Sequence, residues 1–437
     1  MLAYKLRYGK NVYQPFLFPW NLPHSPQVFK TFTALQYVCN LTLLRCLPHL
    51  EKQDTCALKI ISCKKAVDNF SRTNNGGIMG DKAAKLQVVK NSNSSVVSAF
   101  TAAAGFMRGI SIKRFTPKIR RREFAVLEQS QDSHRTRCLI FREKGAGNAP
   151  TIVLGGFVPD ATETVEFQRK LLRQHGSVYY VNYARNGFCQ EMFAAQLTDL
   201  IEDLARKGQK PLLMGVSFGC GLLSSYLRRT GKKIHENIRG LILISPVITT
   251  DDLIRPTDQK RDGVRILESN LKKIVAADPS NEADISKQIE RSRRCFQALF
   301  NAGAGSRTLG VRHLAIQKKI NDVIEYTTAR GGFERVVALR NFRFPFLSSK
   351  LFAGPVLVLL AENEADILAP SSPTLKLFSE PSLYGRILPA CQVKIVKSHV
   401  VGDSVAHASL IFHHEAYNPL LENWCDTLLS PRLQLAV

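Results

Sequence analysis

No stretch of the chain offers the roughly twenty uninterrupted apolar residues that a membrane-spanning helix needs. The run TFTALQYVCNLTLLRCLPHL is broken by polar groups and Arg45, and SVVSAFTAAAGFM is too short to cross a hydrocarbon core of about 30 Å. Were translation to begin at Met79, the lysines after it and the second run would resemble a signal peptide, but the run ends at RG without a small-residue cleavage site. Paired cysteine motifs are missing as well. The ten cysteines are scattered, and Cys39, Cys46, Cys56 and Cys63, which cluster, have no suitably spaced histidines beside them. A structural zinc site therefore lacks its usual signature, and free thiols in a reducing, cytoplasmic setting are the expectation.

Acidic residues are few: 36 Asp and Glu stand against 60 Lys and Arg, a net charge of +24 over 437 residues. The imbalance is uneven, with +16 in residues 1–150 and +8 in the remainder. A basic N-terminal region favours anionic surfaces through counterion release and surface potential, so weak association with an anionic membrane is expected of it, and specific nucleic-acid recognition is not. A solvated arm without a dedicated ligand is the bland alternative. Periodicity is also absent from residues 1 to about 120, where aromatic and proline punctuation (YQPFLFPWNLPHSP), a polar break (SRTNNGG) and a basic run (IKRFTPKIRRR) follow one another. This region is expected to be a poorly ordered extension, or a product of a start codon placed too early.

From about residue 123 the pattern sharpens. EFAVLEQ and RTRCLIFRE alternate like half-exposed strands, whereas PTIVLGGF, SVYYVNYA, PLLMGVSF, IRGLILISPVI and GPVLVLLAE are more continuously apolar, and CQVKIVKS follows them. Between them lie ETVEFQRKLLRQHG, QEMFAAQLTDLIEDLARKG and GCGLLSSYLRRTGKK, with helical spacing and glycine stops. Such β-α alternation with apolar strands predicts a parallel sheet covered on both faces. Residues 251–350 interrupt it with three helix-like segments and no strand, as an inserted cap would.

Gly215-Val216-Ser217-Phe218-Gly219 is G-x-S-x-G, a weak signal alone. It gains weight from the apolar strand before it and the helix after it, because a nucleophile on a sharp strand-to-helix turn needs small neighbours. Here the chain resembles the α/β-hydrolase family over residues 123–437. The resemblance implies an eight-stranded, mostly parallel sheet, with residues 121–250 and 351–437 forming the catalytic domain and 251–350 a helical cap after the sixth strand. It also implies an order of Ser, acid, His. Ser217 is then the nucleophile. The acid is Asp366, four residues before Pro370, or alternatively Glu364, which lies nearer the strand end. The base is His407, with Glu415 two helical turns later; His399 lies too close to the strand, and His413 and His414 resemble an exposed helix start.

The family also implies an oxyanion hole built from the N–H groups of Phe218 and Phe157, with Gly155 and Gly156 permitting close approach. The family usually has His-Gly at this loop, so Gly155 is a departure. The expected chemistry is hydrolysis of a small-molecule ester, lipid ester or thioester through an acyl-enzyme, with no metal or dissociable cofactor. Passage of the acyl group to an alcohol or amine is one alternative, and a non-catalytic binding protein with a basic arm is another.

Overall fold

A computed structural model describes residues 111–255, 265–304, 307, 309–342 and 349–429. The residue 1–110 part of the expected extension, including the Met79 reading and the cysteine cluster, lies outside the described residues.

Eight strands form one sheet: β1 (Ile112–Arg114), β2 (Leu139–Glu143), β3 (Thr151–Leu154), β4 (Val178–Asn182), β5 (Leu212–Val216), β6 (Gly240–Ile244), β7 (Val356–Ala361) and β8 (Cys391–Val396). Every residue of β3 to β7 is buried, as expected of strands covered on both faces. The spatial order is β1-β2-β4-β3-β5-β6-β7-β8, with β1 and β2 antiparallel to their neighbours and all other pairs parallel. This is the α/β-hydrolase fold. The chain runs outward from β3 to β4 and then returns past β3 to β5, so the order reverses between β3 and β5. A crevice opens there, at the carboxyl ends of the two strands.

Alternation along β5 divides the core. Leu213 joins one face with Leu200 and Ile201 of α3 (Gln190–Ala205) and Leu222 of α4 (Phe218–Arg229). Leu212, Met214 and Val216 join the other, with Leu172 of α2 (Arg169–His175) and Tyr417, Leu421 and Trp424 of α9 (His414–Leu429). Among the described residues four α-helices stand between β6 and β7: α5 (Arg265–Ala276), α6 (Glu282–Ala304), α7 (Val311–Tyr326) and α8 (Ala329–Asn341). Leu271, Ile274, Ile285, Ile289, Phe333 and Val336 form a core shared by α5, α6 and α8, with Phe157 packed against it, while Ile316, Ile320 and Ile324 of α7 cluster separately with Ile411.

Three local expectations need correction. EFAVLEQ is not a strand but part of α1 (Arg121–Gln129), because its Ala, Leu, Glu and Gln favour helix and because Asp199 of α3 accepts the Glu123 N–H at 3.0 Å, capping the first turn. The first strand is instead Ile112–Arg114, inside the stretch assigned to the extension. The segment inserted between β6 and β7 holds a fourth helix, since the Thr328 side chain accepts the Gly331 N–H at 3.1 Å and starts α8 after α7 has ended at Tyr326.

Asp252, fully buried at the exit of β6, joins the sheet to the start of the helix Pro373–Ser379. Its carboxylate accepts from the N–H groups of Ile248, Thr249 and Thr374 and from the hydroxyls of Ser372 and Thr374, at 2.5–3.0 Å. Asp252→Ala would strand several buried donors, each worth about 1–3 kcal/mol when left unpaired. Urea denaturation is expected to show a loss of at least roughly 3 kcal/mol, and a change inside experimental error would count against this role.

Candidate active site

The turn after β5 is strained. Ser217 has φ 50° and ψ −113°, a conformation L-residues avoid, and its N–H donates to Ile244 O at 2.9 Å while its carbonyl accepts from Cys220 N at 2.9 Å. The flanking glycines make this turn feasible. A Cβ on Gly219 would lie 2.6 Å from Leu154 O, and one on Gly215 would lie 2.9 Å from Cys220 N. The helix that follows can therefore press its first turn against the end of β3, with the Ser217 side chain in the crevice.

Ser217 Oγ lies 2.9 Å from Nε2 of His407, and Nδ1 of His407 lies 2.5 Å from Oε2 of Glu364. A carboxylate can only accept, so the ring proton belongs on Nδ1 and Nε2 faces the hydroxyl as an acceptor. The carboxylate that meets the imidazole is thus Glu364, not Asp366. Glu364 and Asp366 share a single 3₁₀ turn after β7; that turn directs the first inward, where it is buried, and leaves the second exposed. Burial would push the Glu364 carboxyl up, but His407, the Ser245 hydroxyl and the Ala361 N–H (2.8 Å) outweigh it, and the group stays below the ordinary carboxylate value.

The His407 loop is fastened by three consecutive residues. Glu362 accepts from Ser398 N at 3.2 Å and Val405 N at 2.7 Å. Asn363 donates its N–H to Val405 O and its side-chain amide to Ser404 Oγ, and Glu364 holds His407. Ser245, at φ 44°, adds a hydroxyl that accepts the Ala408 N–H at 2.9 Å. In the sequence Ser245 shows only as a small residue at the exit of β6. At the loop tip, Val400 and Val401 are exposed and Gly402 has φ 78°.

His399 is exposed and apart from Ser217. His413 is not exposed as expected but buried, because its Nδ1 meets Ser409 Oγ at 2.8 Å and its Nε2 accepts from Arg307 at 2.7 Å, away from the Ser217 relay. His414 and Glu415 open α9.

Phe218 is the first residue of α4, so no carbonyl of its own helix takes up its N–H. Phe157 follows Gly156, where an added Cβ would stand 3.9 Å from Ser217 Cβ. Among the described residues neither N–H has an acceptor. The absence of histidine at Gly155 has a steric cause: a Cβ there would come within 2.7 Å of Pro159 O. A cavity of about 140 Å³ adjoins Ser217 and is walled almost wholly by apolar side chains, among them Phe157, Leu253, Ile274, Ile289, Phe296 and Ile324.

No family model matches the chain, and no curated protein does. Solved structures do resemble it. An esterase from Exiguobacterium antarcticum is 14% identical, with 66% of this chain and 95% of that chain covered and a TM-score of 0.44. A bromoperoxidase from Bacillus anthracis is 18% identical over 66% and 96%, at 0.43, and MenH from S. aureus is 14% identical over 66% and 98%, at 0.44. The strand order and the turn at Ser217 carry the fold assignment by themselves.

Replacing Glu364 by Gln is expected to slow fluorophosphonate labelling of Ser217 by about 10⁴-fold, the scale seen when a triad acid loses its charge, while Asp366→Asn has little effect. The reverse pattern would reinstate Asp366. Because the folded carboxyl titrates lower than the unfolded one, Glu364 contributes stability above the unfolded value of about 4.3, and this is lost as pH falls through the folded value. Glu364→Gln should accordingly flatten that part of the acid-unfolding curve, followed by circular dichroism.

Proposed function

We propose that the chain is a serine hydrolase that cleaves a carboxylic ester or thioester carrying an apolar acyl group. The observation that carries this reading is the hydrogen-bonded line Ser217–His407–Glu364 opening into an apolar cavity beneath the cap. A serine hydroxyl is a weak nucleophile until a neighbouring base takes its proton, and His407 Nε2 stands where that base must be. Glu364 keeps the imidazole in the useful tautomer and stabilises the imidazolium that forms.

In this reading Ser217 Oγ attacks the acyl carbonyl as its proton passes to His407. The N–H groups of Phe157 and Phe218 receive the oxyanion, with the positive end of the α4 dipole behind it. Collapse of the intermediate expels the alcohol or thiol, which takes the proton from His407. Water, activated by the same imidazole, then releases the acid. The small residual space and its apolar walls suit an alkyl or aryl chain more than a polar acyl group, and each methylene buried there contributes about 0.8 kcal/mol.

Ser217→Ala is expected to abolish fluorophosphonate labelling; equal labelling of the variant and the wild type would remove the hydrolase reading. With p-nitrophenyl esters, kcat/KM should rise by roughly tenfold or more from acetate to octanoate. Ile324→Trp, which fills the cavity, should erase that preference and leave acetate hydrolysis in place.

A further inference from the structure

Arg335 of α8 is 2% exposed and, among the described residues, has no carboxylate within hydrogen-bonding reach. Its Nη1 donates to Phe157 O at 3.0 Å and its Nη2 to Ala184 O at 2.8 Å, while its buried Nε has no partner among the described residues. The acid that acts on it through space, Asp160, is already bonded to Arg185. Burial, reinforced by Arg185, pushes the guanidinium down to about 10, which leaves it charged at neutral pH. An apolar side chain of similar volume would fill this position without the penalty of burying a lone charge, so simple packing does not account for an arginine here.

One of its two partners, the Phe157 carbonyl, lies in the oxyanion loop, and the other, the Ala184 carbonyl, follows β4. Tyr183 donates its hydroxyl to Gly155 O at 2.9 Å, and the Arg335 guanidinium lies 5.5 Å from the Tyr183 ring. Body and cap thus each grip one carbonyl of the three-residue span that carries the Phe157 N–H. The Phe157 ring is held on the same two sides, edge-on to Phe218 at 5.3 Å and stacked on Phe296 of α6 at 5.6 Å. Arg335 and Ser217 line the same cavity.

We propose that Arg335 is a positioning residue supplied by the cap: it fixes the oxyanion loop through the Phe157 carbonyl and adds an unbalanced positive charge behind the place where the tetrahedral anion forms. The oxyanion hole is then complete only while α8 is docked, and the charge favours the transition state over the neutral substrate. This rests on the serine hydrolase reading above.

The test compares wild type, Arg335→Met, Arg335→Lys and the exposed control Arg330→Met. It measures hydrolysis of p-nitrophenyl octanoate, fluorophosphonate labelling of Ser217, and inhibition by an alkylboronic acid, which forms a tetrahedral anion on serine. R335M should lower kcat by about 10²-fold, the scale of a lost oxyanion donor, with KM nearly unchanged. Boronate affinity should weaken in step with kcat/KM. R335K, which keeps the charge, should recover part of both, and R330M should match wild type.

A folded R335M with wild-type kcat and boronate affinity overturns the proposal, as does one whose kcat falls while boronate affinity holds. If R335M does not fold, R335K decides: reduced kcat and boronate affinity at unchanged KM support the role, and wild-type values overturn it. A wild type that neither hydrolyses the ester nor labels at Ser217 removes the hydrolase reading and this role together, whereas an active wild type with an unaffected R335M removes this role alone.

Discussion

The architecture of the site depends on one close approach, the contact between the first turn of α4 and the end of β3. Gly219 sits where any side chain would strike the carbonyls of Leu154 and Gly155. That contact brings the Ser217 turn beside the Gly155–Phe157 loop, although the two segments are some sixty residues apart in the chain. It also forces Ser217 into a positive φ, a strain that the surrounding backbone hydrogen bonds to Ile244 and from Cys220 hold in place. Ser217, His407 and the Gly155–Phe157 loop thus meet at this packing contact.

The helices inserted between β6 and β7 and the sheet are not separable layers around this point. Phe157 packs against the core of the inserted helices as much as against the sheet's, lying between a ring from α4 and a ring from α6. Arg335 reaches from α8 to the same loop, and the Asp252 carboxylate joins the exit of β6 to Ser372 and Thr374 at the start of the helix Pro373–Ser379.

Much of this was legible in the sequence where burial is uniform. The apolar runs that became β3 to β7 needed only their lengths and glycine stops to be read, and the G-x-S-x-G turn followed from the strand before it and the helix after it. Legibility failed where the deciding partner is remote. Nothing inside EFAVLEQ reveals that Asp199 will cap it as a helix, and nothing near His413 announces Arg307. Glu364 and Asp366 differ by a single intervening residue. The spacing to Pro370 favoured the wrong one for the contact with His407, because a tight turn after β7 decides which side chain faces inward. Arg335 left no local signal, since its significance lies in the carboxylate it lacks.

The fastening of the His407 loop has a consequence for how the chain can vary in length. Residues 362, 363 and 364 grip residues 398, 404, 405 and 407 in register, so adding or removing a residue between 403 and 407 would shift the imidazole relative to all three. The tip at 399–402 is gripped by none of them and points its valines into solvent. Insertions and deletions are thus confined by geometry to those four positions, and the loop behaves as a clasp with one elastic link.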